Sequence, residues 1–187
     1  MLENLKKNPQ KPEQLKAIQW ARDILSTPHG YLILDTETTG LKKAEIVQVA
    51  VIDLLGNALL NTLIKPTMPI PRKTTAVHGI DDLMVANSPC FTQIYPQLKE
   101  LLEDKLTLIY NSQFDCQIIK YCCELHQLEP IEIKPECVMM PYSNYIGEWS
   151  SYYGNIRWQK LPAGDHSALG DCLATLKVIQ TMAETKI

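Results

Sequence analysis

Asp35 and Glu37 are two acidic residues separated by one position, directly after the apolar run Tyr31–Leu34. Residues two apart on a strand point to the same face of a sheet, so their carboxylates would lie close together. Two such groups repel each other unless a cation is bound between them. The pair therefore indicates a metal site at a strand end, although two acids that simply face solvent explain it equally well.

Asp115 is a third candidate, in the segment YNSQFD, where a second apolar run gives way to a helical pattern. The helix dipole favours an acid in the first turn, and Ser112 could cap the same helix. Considered alone, Asp115 is explained more simply as a helix-start acid than as a metal ligand.

His166 and Asp171 form the last candidate group, in the segment DHSALGD. Asp171 shares a helical face with Thr175 and Val178, where an acid is costly without a partner. Histidine ordinarily titrates near neutral pH and can act as a general base, although a single histidine at a helix start is usually a surface residue. We expect Asp165 to be the N-cap of this helix.

The elements that must position these residues are predicted from hydrophobic periodicity and from breaks at Gly and Pro. A tight turn at Gly56-Asn57 joins the second and third strands as a hairpin. The stretch from Met140 to Gly164 shows no regular pattern. A hairpin followed by alternating strands and helices implies an α/β fold with a mixed sheet flanked by helices. In chain order, the predicted elements are a helix at Glu13–Leu25 (apolar stripe Leu15, Ile18, Ala21 and Leu25), strands at Tyr31–Leu34, Glu45–Leu54 and Ala58–Lys65, a helix at Phe91–Glu103, a strand at Leu106–Tyr110, a helix at Phe114–Leu125, a strand at Cys137–Met140 and a helix at His166–Thr181.

Composition is that of a soluble globular protein, with 187 residues, 45% hydrophobic and 21% charged. We expect an N-terminal tail and helix at residues 1–28 and one domain at residues 29–187. The N-terminus has no hydrophobic signal core and no apolar run is long enough for a bilayer, so we expect a cytoplasmic protein without a membrane partner. The net charge of −3 argues weakly against tight, non-specific nucleic-acid binding. A carboxylate metal site would itself add negative charge.

Six cysteines raise the alternative of a zinc site. Cys116, Cys122, Cys123 and Cys137, with His126, could in principle surround the ion. However, they form no CxxC pair, and their helical, apolar setting favours a buried helix face. Disulfides are not expected in a reducing compartment.

Taken together, LDTETTG, YNSQFD and HSALGD resemble, in this order, the three motifs of the DnaQ-like 3′–5′ exonucleases, in the branch that carries a histidine (DEDDh). That family includes the proofreading exonuclease subunit of bacterial DNA polymerase III and RNase T. The segment AVHGI also resembles the family's recurring segment between the first two motifs. The resemblance covers Tyr31–Thr181.

The resemblance implies a ribonuclease H-like three-layer fold and a site for two Mg²⁺ or Mn²⁺ ions. Asp35, Glu37, Asp115 and Asp171 match the family's metal-binding acids. His166 stands five residues before Asp171, as the family's general base does. These five residues are the predicted catalytic set.

The resemblance also predicts contacts to the terminal nucleotide. Leu41 would be an apolar wedge, and aromatic rings would stack on any base. Plain core packing is the alternative for Leu41 and Phe114. The residues predicted to line this groove are Thr38, Leu41, His78, Tyr110, Asn111 and Phe114.

The predicted function is release of 5′-mononucleotides from DNA or RNA 3′ ends, with a single-stranded end as the expected partner. The sugar type, a polymerase or repair partner and the oligomeric state stay open. Two alternatives are a non-catalytic nucleic-acid- or polymerase-binding module with this fold and a nuclease specific for short oligonucleotides. The complete set of four acids and His166 argues against the first, whereas the second shares the site.

Tyr142–Trp158 contains six of the thirteen aromatic residues, with Arg157 and Lys160 nearby. Aromatic rings interleaved with cations could stack a nucleic-acid strand. A small side core beneath a long loop is the alternative, and it is the one we favour from the sequence, because Trp and Tyr commonly fill half-buried positions.

Overall fold

The centre of the protein is a five-stranded sheet, seen in a computed structural model that describes residues 12–152 and 154–186. Its strands are β1 (Tyr31–Thr38), β2 (Ile46–Asp53), β3 (Ala58–Leu63), β4 (Leu106–Ile109) and β5 (Lys134–Cys137). In space their order is β3-β2-β1-β4-β5. β2 is antiparallel to β1 and β3, whereas β4 is parallel to β1 and β5. The predicted mixed five-stranded sheet is confirmed.

Helices cover both faces of this sheet, and they are α1 (Pro12–Ser26), α2 (Arg72–His78), α3 (Asp82–Val85), α4 (Phe91–Leu102), α5 (Ser112–Leu125), α6 (Met139–Ile146) and α7 (Ala168–Ala183). Two short strands, β6 (Trp149–Ser150) and β7 (Asn155–Ile156), form a separate ribbon. Because side chains alternate along β1, Leu34 packs with α4 and α5 while Ile33 packs with α1 and α7. The result is the three-layer arrangement. None of the described helices is long and apolar enough to cross a membrane.

α1 is part of the core that contains α7. Ala21, a member of the predicted apolar stripe, is buried there, and Ile18 of the same stripe is also buried. Arg22 donates hydrogen bonds to the carbonyls of Ala183 and Thr185 at 3.0 and 2.8 Å, which ties α1 to the end of α7. A separate N-terminal region at residues 1–28 stays a prediction, and residues 1–11 lie outside the described part of the chain.

The strand predicted at Cys137–Met140 is wrong. The fifth strand is β5, whose partners on β4 run from Leu106↔Lys134 to Ile109↔Cys137. The apolar run instead lies where the chain enters α6, and Val138 is buried there. Helix α6 and the β6–β7 ribbon occupy much of the stretch predicted to be irregular. The segment KPEC is too polar to show a strand pattern in the sequence. It forms a strand because it pairs with β4.

Candidate active site

β1 carries the first two acids to the carboxyl edge of the sheet. Asp35 lies opposite Ala50 on β2, and Glu37 lies opposite Gln48. Both acids share the sheet face that α7 covers, since Ala50 packs in the same core as α7. The ladder shifts register between Glu37 and Thr38. Such bulges often re-aim side chains next to a site.

Asp115 reaches this edge from the opposite side of the sheet, in the first turn of α5. The N-cap of α5 is Asn111, without a side-chain capping bond, so the alternative in which Ser112 caps the helix is wrong. Asp115 is only 3% exposed. The Thr36 hydroxyl donates a hydrogen bond to Asp115 Oδ1 at 2.7 Å. Thr36, which stands between the two β1 acids, therefore links the first acidic segment to the second.

The third segment is a turn that precedes α7. Ser167 is the N-cap of α7, so the predicted N-cap at Asp165 and the predicted helix start at His166 are wrong. His166 has a φ of 59°, a left-handed conformation that does not continue a right-handed helix. Asp171 Oδ1 accepts hydrogen bonds from the backbone N–H groups of Asp165 and His166 at 2.9 and 3.3 Å. These bonds hold the turn against the Asp171 carboxylate.

Glu37, His166 and Asp171 meet in one group. One potential ligand atom of each lies within 4.8 Å of the other two. Within residues 12–152 and 154–186, it is the only such group of three His, Cys, Asp or Glu side chains. The cysteines are free thiols and take no part in it. The zinc alternative therefore gains no support, and a possible metal site lies at the predicted edge of the sheet.

The β1 acids are strongly perturbed electrostatically. Burial raises the pKa of Asp35 well above its usual range, and the charges of Asp115, Asp171 and Glu37 raise it further. Burial, followed by the charge of Asp171, raises the pKa of Glu37 to about 8. These shifts show that the carboxylates lie close enough to oppose one another's ionisation.

The pKa values of Asp115 and Asp171, the two acids on helices, are also raised, although hydrogen bonds to their carboxylates oppose the shift. Burial raises the pKa of Asp115 to about 7, although the Thr36 hydroxyl opposes this shift. Burial also raises the pKa of Asp171, against the backbone N–H groups of Asp165 and His166. Clustered carboxylate oxygens are the donors that hard divalent cations prefer, so these four acids fit a site for such a cation.

Three of the predicted groove residues surround the end of β1. Leu41 is 82% exposed, so core packing does not explain it. The Thr38 hydroxyl donates to the Gly40 carbonyl at 2.6 Å. His78 Nδ1 accepts the Ile80 N–H at 3.0 Å, which leaves Nε2 to donate to the Thr38 carbonyl at 3.2 Å. His78 therefore fastens the end of α2 to β1.

The other three predicted groove residues lie at the start of α5. Tyr110 is buried, and its hydroxyl donates to the Gln159 carbonyl at 2.9 Å. Asn111 is exposed. Phe114 is half-buried and packs against the core beneath α4 and α5, so it contributes to the core as well as bordering the edge.

Two residues near the site were not singled out from the sequence. Thr36 donates to Asp115, and Gln48 Oε1 accepts the Ala168 N–H at 3.1 Å, which fastens the start of α7 to β2. The period-two alternation of β1 could have shown that Thr36 faces the α5 side. Gln48 carries no comparable signal, because its role depends on the register that places it opposite Glu37.

Comparisons of sequence agree with this geometry. A family model described as "Exonuclease" matches residues 32–179. The uncharacterized exonuclease CP81 of Escherichia phage 186 is 37% identical over 171 residues, which cover 82% of this chain and 88% of that protein. The DNA polymerase III subunit epsilon of Pasteurella multocida is 28% identical over 108 residues, or 52% of this chain. The match spans only 43% of that subunit.

Comparisons of structure show the same fold. Exonuclease X, solved with 5′ overhanging duplex DNA, has a TM-score of 0.56 and 24% identity, and the match covers 83% of this chain and 94% of that chain. E. coli Exonuclease I, solved with a dA16 oligonucleotide, has a TM-score of 0.64 and 16% identity, covering 81% and 40%. The ribonuclease H-like fold predicted from the motifs is confirmed. The chain belongs to the exonuclease family and is a 3′–5′ exonuclease hydrolase of the DnaQ-like type.

Proposed function

We propose that this exonuclease hydrolyses the terminal phosphodiester at the 3′ end of single-stranded DNA or RNA and releases 5′-mononucleotides. The observation that carries the proposal is the meeting of Glu37, His166 and Asp171, with ligand atoms within 4.8 Å, beside the half-buried Asp35 and the buried Asp115. Family membership together with this complete set argues against a non-catalytic binding module.

Asp35, Glu37, Asp115 and Asp171 are proposed to hold two divalent cations. Burial, and after it the charges of the neighbouring acids, raise the pKa of Asp35 and of Glu37, and bound positive charge would relieve the repulsion. When bound, divalent cations would supply Lewis-acid stabilisation to the negative charge that develops as the phosphodiester is cleaved. Because α5 and α7 approach from opposite faces, the four carboxylates can surround a phosphate at the sheet edge.

His166 is proposed to be the general base. Its side chain is exposed, and the backbone of its turn is held by Asp171. An imidazole nitrogen would take a proton from the attacking water as the water oxygen bonds to phosphorus. The bond from phosphorus to the 3′ oxygen then breaks. That oxygen leaves with the electron pair and takes up a proton, so the shortened strand keeps a 3′-hydroxyl.

The end of the strand is proposed to be gripped beside β1. Leu41, 82% exposed next to the buried Thr38, offers an apolar surface to the terminal base. Asn111 offers an exposed amide at the other side, close in sequence to Tyr110 and Phe114. His78 would act on this groove by fixing the Thr38 carbonyl.

Digestion of 5′-labelled single-stranded DNA and RNA tests the proposal. With Mg²⁺ or Mn²⁺ we expect a ladder that shortens from the 3′ end, and no ladder with chelator or with Asp35→Ala. The faster substrate identifies the sugar preference. A complete lack of cleavage, with nucleic-acid binding retained, would contradict the proposal.

The base is tested by His166→Ala. We expect turnover to fall by about 100- to 10,000-fold, the usual contribution of general acid–base catalysis, while thermal stability and stabilisation by Mg²⁺ remain. Near-normal turnover in this variant would remove His166 from the proposed role.

A further inference from the structure

Two exposed tryptophans lie at the ribbon of β6 and β7: Trp149 begins β6, and Trp158 follows β7 by two residues. We call residues 148–152 and 154–159 the aromatic ribbon. Trp149 pairs with Ile156, and the Arg157 N–H donates to the Glu148 carbonyl at 2.8 Å, which extends the ladder. Directly opposed residues share a face and neighbours alternate, so Trp149 and Ile156 lie on one face and Glu148 and Arg157 on the other. Trp158 lines one cavity together with Ile156.

On the polar face of the aromatic ribbon, the side chains of Glu148, Arg157 and Gln159 contact one another. Arg157 Nη1 forms a salt bridge with Glu148 Oε1 at 2.7 Å. Gln159 Nε2 donates to Glu148 Oε2 at 3.1 Å. These contacts join the two edges of the short ribbon on the face opposite Trp149.

The tryptophans are not the side core expected from the sequence. Trp149 is 60% exposed and Trp158 is 64% exposed. By contrast, Tyr142 and Tyr145 of α6 are half-buried against the core of α1 and α7, with ring centroids 6.2 Å apart. The side-core prediction is wrong for the two tryptophans and for Tyr152, which is 86% exposed, whereas Tyr142 and Tyr145 belong to the main core beside α1 and α7. Tyr153 lies outside the described residues. A cavity of about 540 Å³ adjoins Trp158 and is lined by Asn155, Ile156 and Arg157 as well, within the rough range of 300–1,000 Å³ for ligand sites.

The aromatic ribbon is continuous with the catalytic edge. Gln159 is fixed by the Tyr110 hydroxyl, and Tyr110 directly precedes the segment that carries Asp115. In the other direction, the chain runs from Gln159 through a short loop to His166. The aromatic ribbon is therefore joined to the segments that begin α5 and α7, the helices that carry Asp115 and Asp171.

We propose that the aromatic ribbon binds the single-stranded segment that lies 5′ of the scissile bond, with nucleobases stacked on Trp149 and Trp158. This inference rests on the proposed function, because it assumes a polynucleotide in the groove. An indole face stacks on any base, so such a platform suits an enzyme that must follow an arbitrary sequence. The nearby Lys160, which is exposed, can contact the phosphate backbone.

The test compares Trp149→Ala/Trp158→Ala with the corresponding double Phe and double Leu variants. Binding of fluorescent single-stranded DNA is measured by anisotropy, with Asp35→Asn present throughout to prevent hydrolysis. We expect roughly tenfold weaker binding for each ring lost, recovery with Phe, and no recovery with Leu, because Leu keeps the apolar surface but not the stacking face. Leu55→Ala, which removes an exposed side chain at the β2–β3 turn, is the matched control and should bind normally.

Hydrolysis of a dinucleotide, measured without Asp35→Asn, separates this inference from the proposed function. The dinucleotide occupies only the catalytic groove, so we expect the double Ala variant to hydrolyse it normally while its KM for a long single strand rises. Three results would overturn the role of the ribbon. The double Ala variant could bind single-stranded DNA as tightly as its parent, or the double Leu variant could bind it as tightly as the double Phe variant. The double Ala variant could also lose equal activity on the dinucleotide and on the long strand. Failure of the wild type to cleave either substrate would instead count against the proposed function, and the anisotropy series would still decide whether the ribbon binds DNA.

Discussion

Two regions of the molecule bury carboxylates, and their surroundings differ. Glu45, just before β2, is 4% exposed and accepts hydrogen bonds from the Thr67 N–H and hydroxyl and from the Met68 N–H, at 2.9, 2.7 and 3.1 Å. At the catalytic edge, the acids have other acids as their neighbours, which helps to raise the pKa of Asp35 and of Glu37. Burial alone therefore does not mark a functional acid. A buried carboxylate that accepts several hydrogen bonds stabilises the fold, whereas carboxylates that lie close to one another indicate a cation-binding site.

Asp35→Asn gives the largest expected effect and should change activity and stability in opposite directions. Loss of a metal-binding charge should reduce turnover on the order of 1,000-fold, since a bound ion contributes several kcal/mol to the transition state. In chelator, the same variant should unfold at a higher temperature than the wild type, because one of the repelling charges is gone. Single-turnover digestion and thermal melting measure the two effects. A lower melting temperature in chelator would contradict the account of repulsion.

Stability without metal should depend on pH through Glu37. Burial raises its pKa from 4.5 to about 8, so its proton is held more tightly in the folded state. That contribution is fully present below pH 4.5 and is lost as the pH rises through about 8. We expect the wild type in chelator to lose stability over this window relative to Glu37→Gln, as followed by urea unfolding.

Mg²⁺ should restore this stability, and by more at pH 8 than at pH 6, because protons compete with the cation for the same oxygens. At about one hundred times its Kd, a ligand that binds only the folded state adds about 2.7 kcal/mol. Identical unfolding curves with Mg²⁺ and with chelator at pH 8 would show that the catalytic edge holds no cation.

Glu45→Gln should act in the opposite sense to Asp35→Asn. The amide cannot accept the same three hydrogen bonds, so we expect a loss of about 1–3 kcal/mol in the free energy of unfolding. Mg²⁺ should not compensate for it. The exposed Glu100→Gln on α4 is the matched control, with an expected change within about 0.5 kcal/mol. If both variants unfold alike in urea, Glu45 has no structural role.

Gln48→Ala should have the smallest effect on turnover. It tests whether the hydrogen bond from β2 to the start of α7 helps to position the site. The Ala168 N–H would lose its acceptor, which costs about 1 kcal/mol, so turnover should fall by no more than about tenfold. Asn61→Ala removes the other partner of Gln48, an exposed contact at 3.3 Å, and should leave turnover unchanged. Equal effects of the two substitutions would remove Gln48 from the positioning of the site.

The sheet and the acids on it could be predicted from local sequence patterns. The apolar run before Asp35 and the two-residue spacing to Glu37 fix a strand end and a shared face without knowledge of the fold. The start of α7 could not be predicted in this way, because the left-handed turn at His166 is held by the Asp171 carboxylate. The position of β5 was predicted wrongly for a related reason, because the segment that pairs with β4 is polar and shows no strand pattern. The exposure of Trp149 likewise depends on tertiary packing rather than on residue type.

The order of the elements along the chain has a consequence for biosynthesis. β1 to β5 and Asp115 on α5 all precede α7, so a growing polypeptide completes the sheet before His166 and Asp171 leave the ribosome. We expect incomplete chains to contain most of the core but neither the base nor the last carboxylate. We would then expect nuclease activity to begin only after α7 has been made and has packed against β1 and β2.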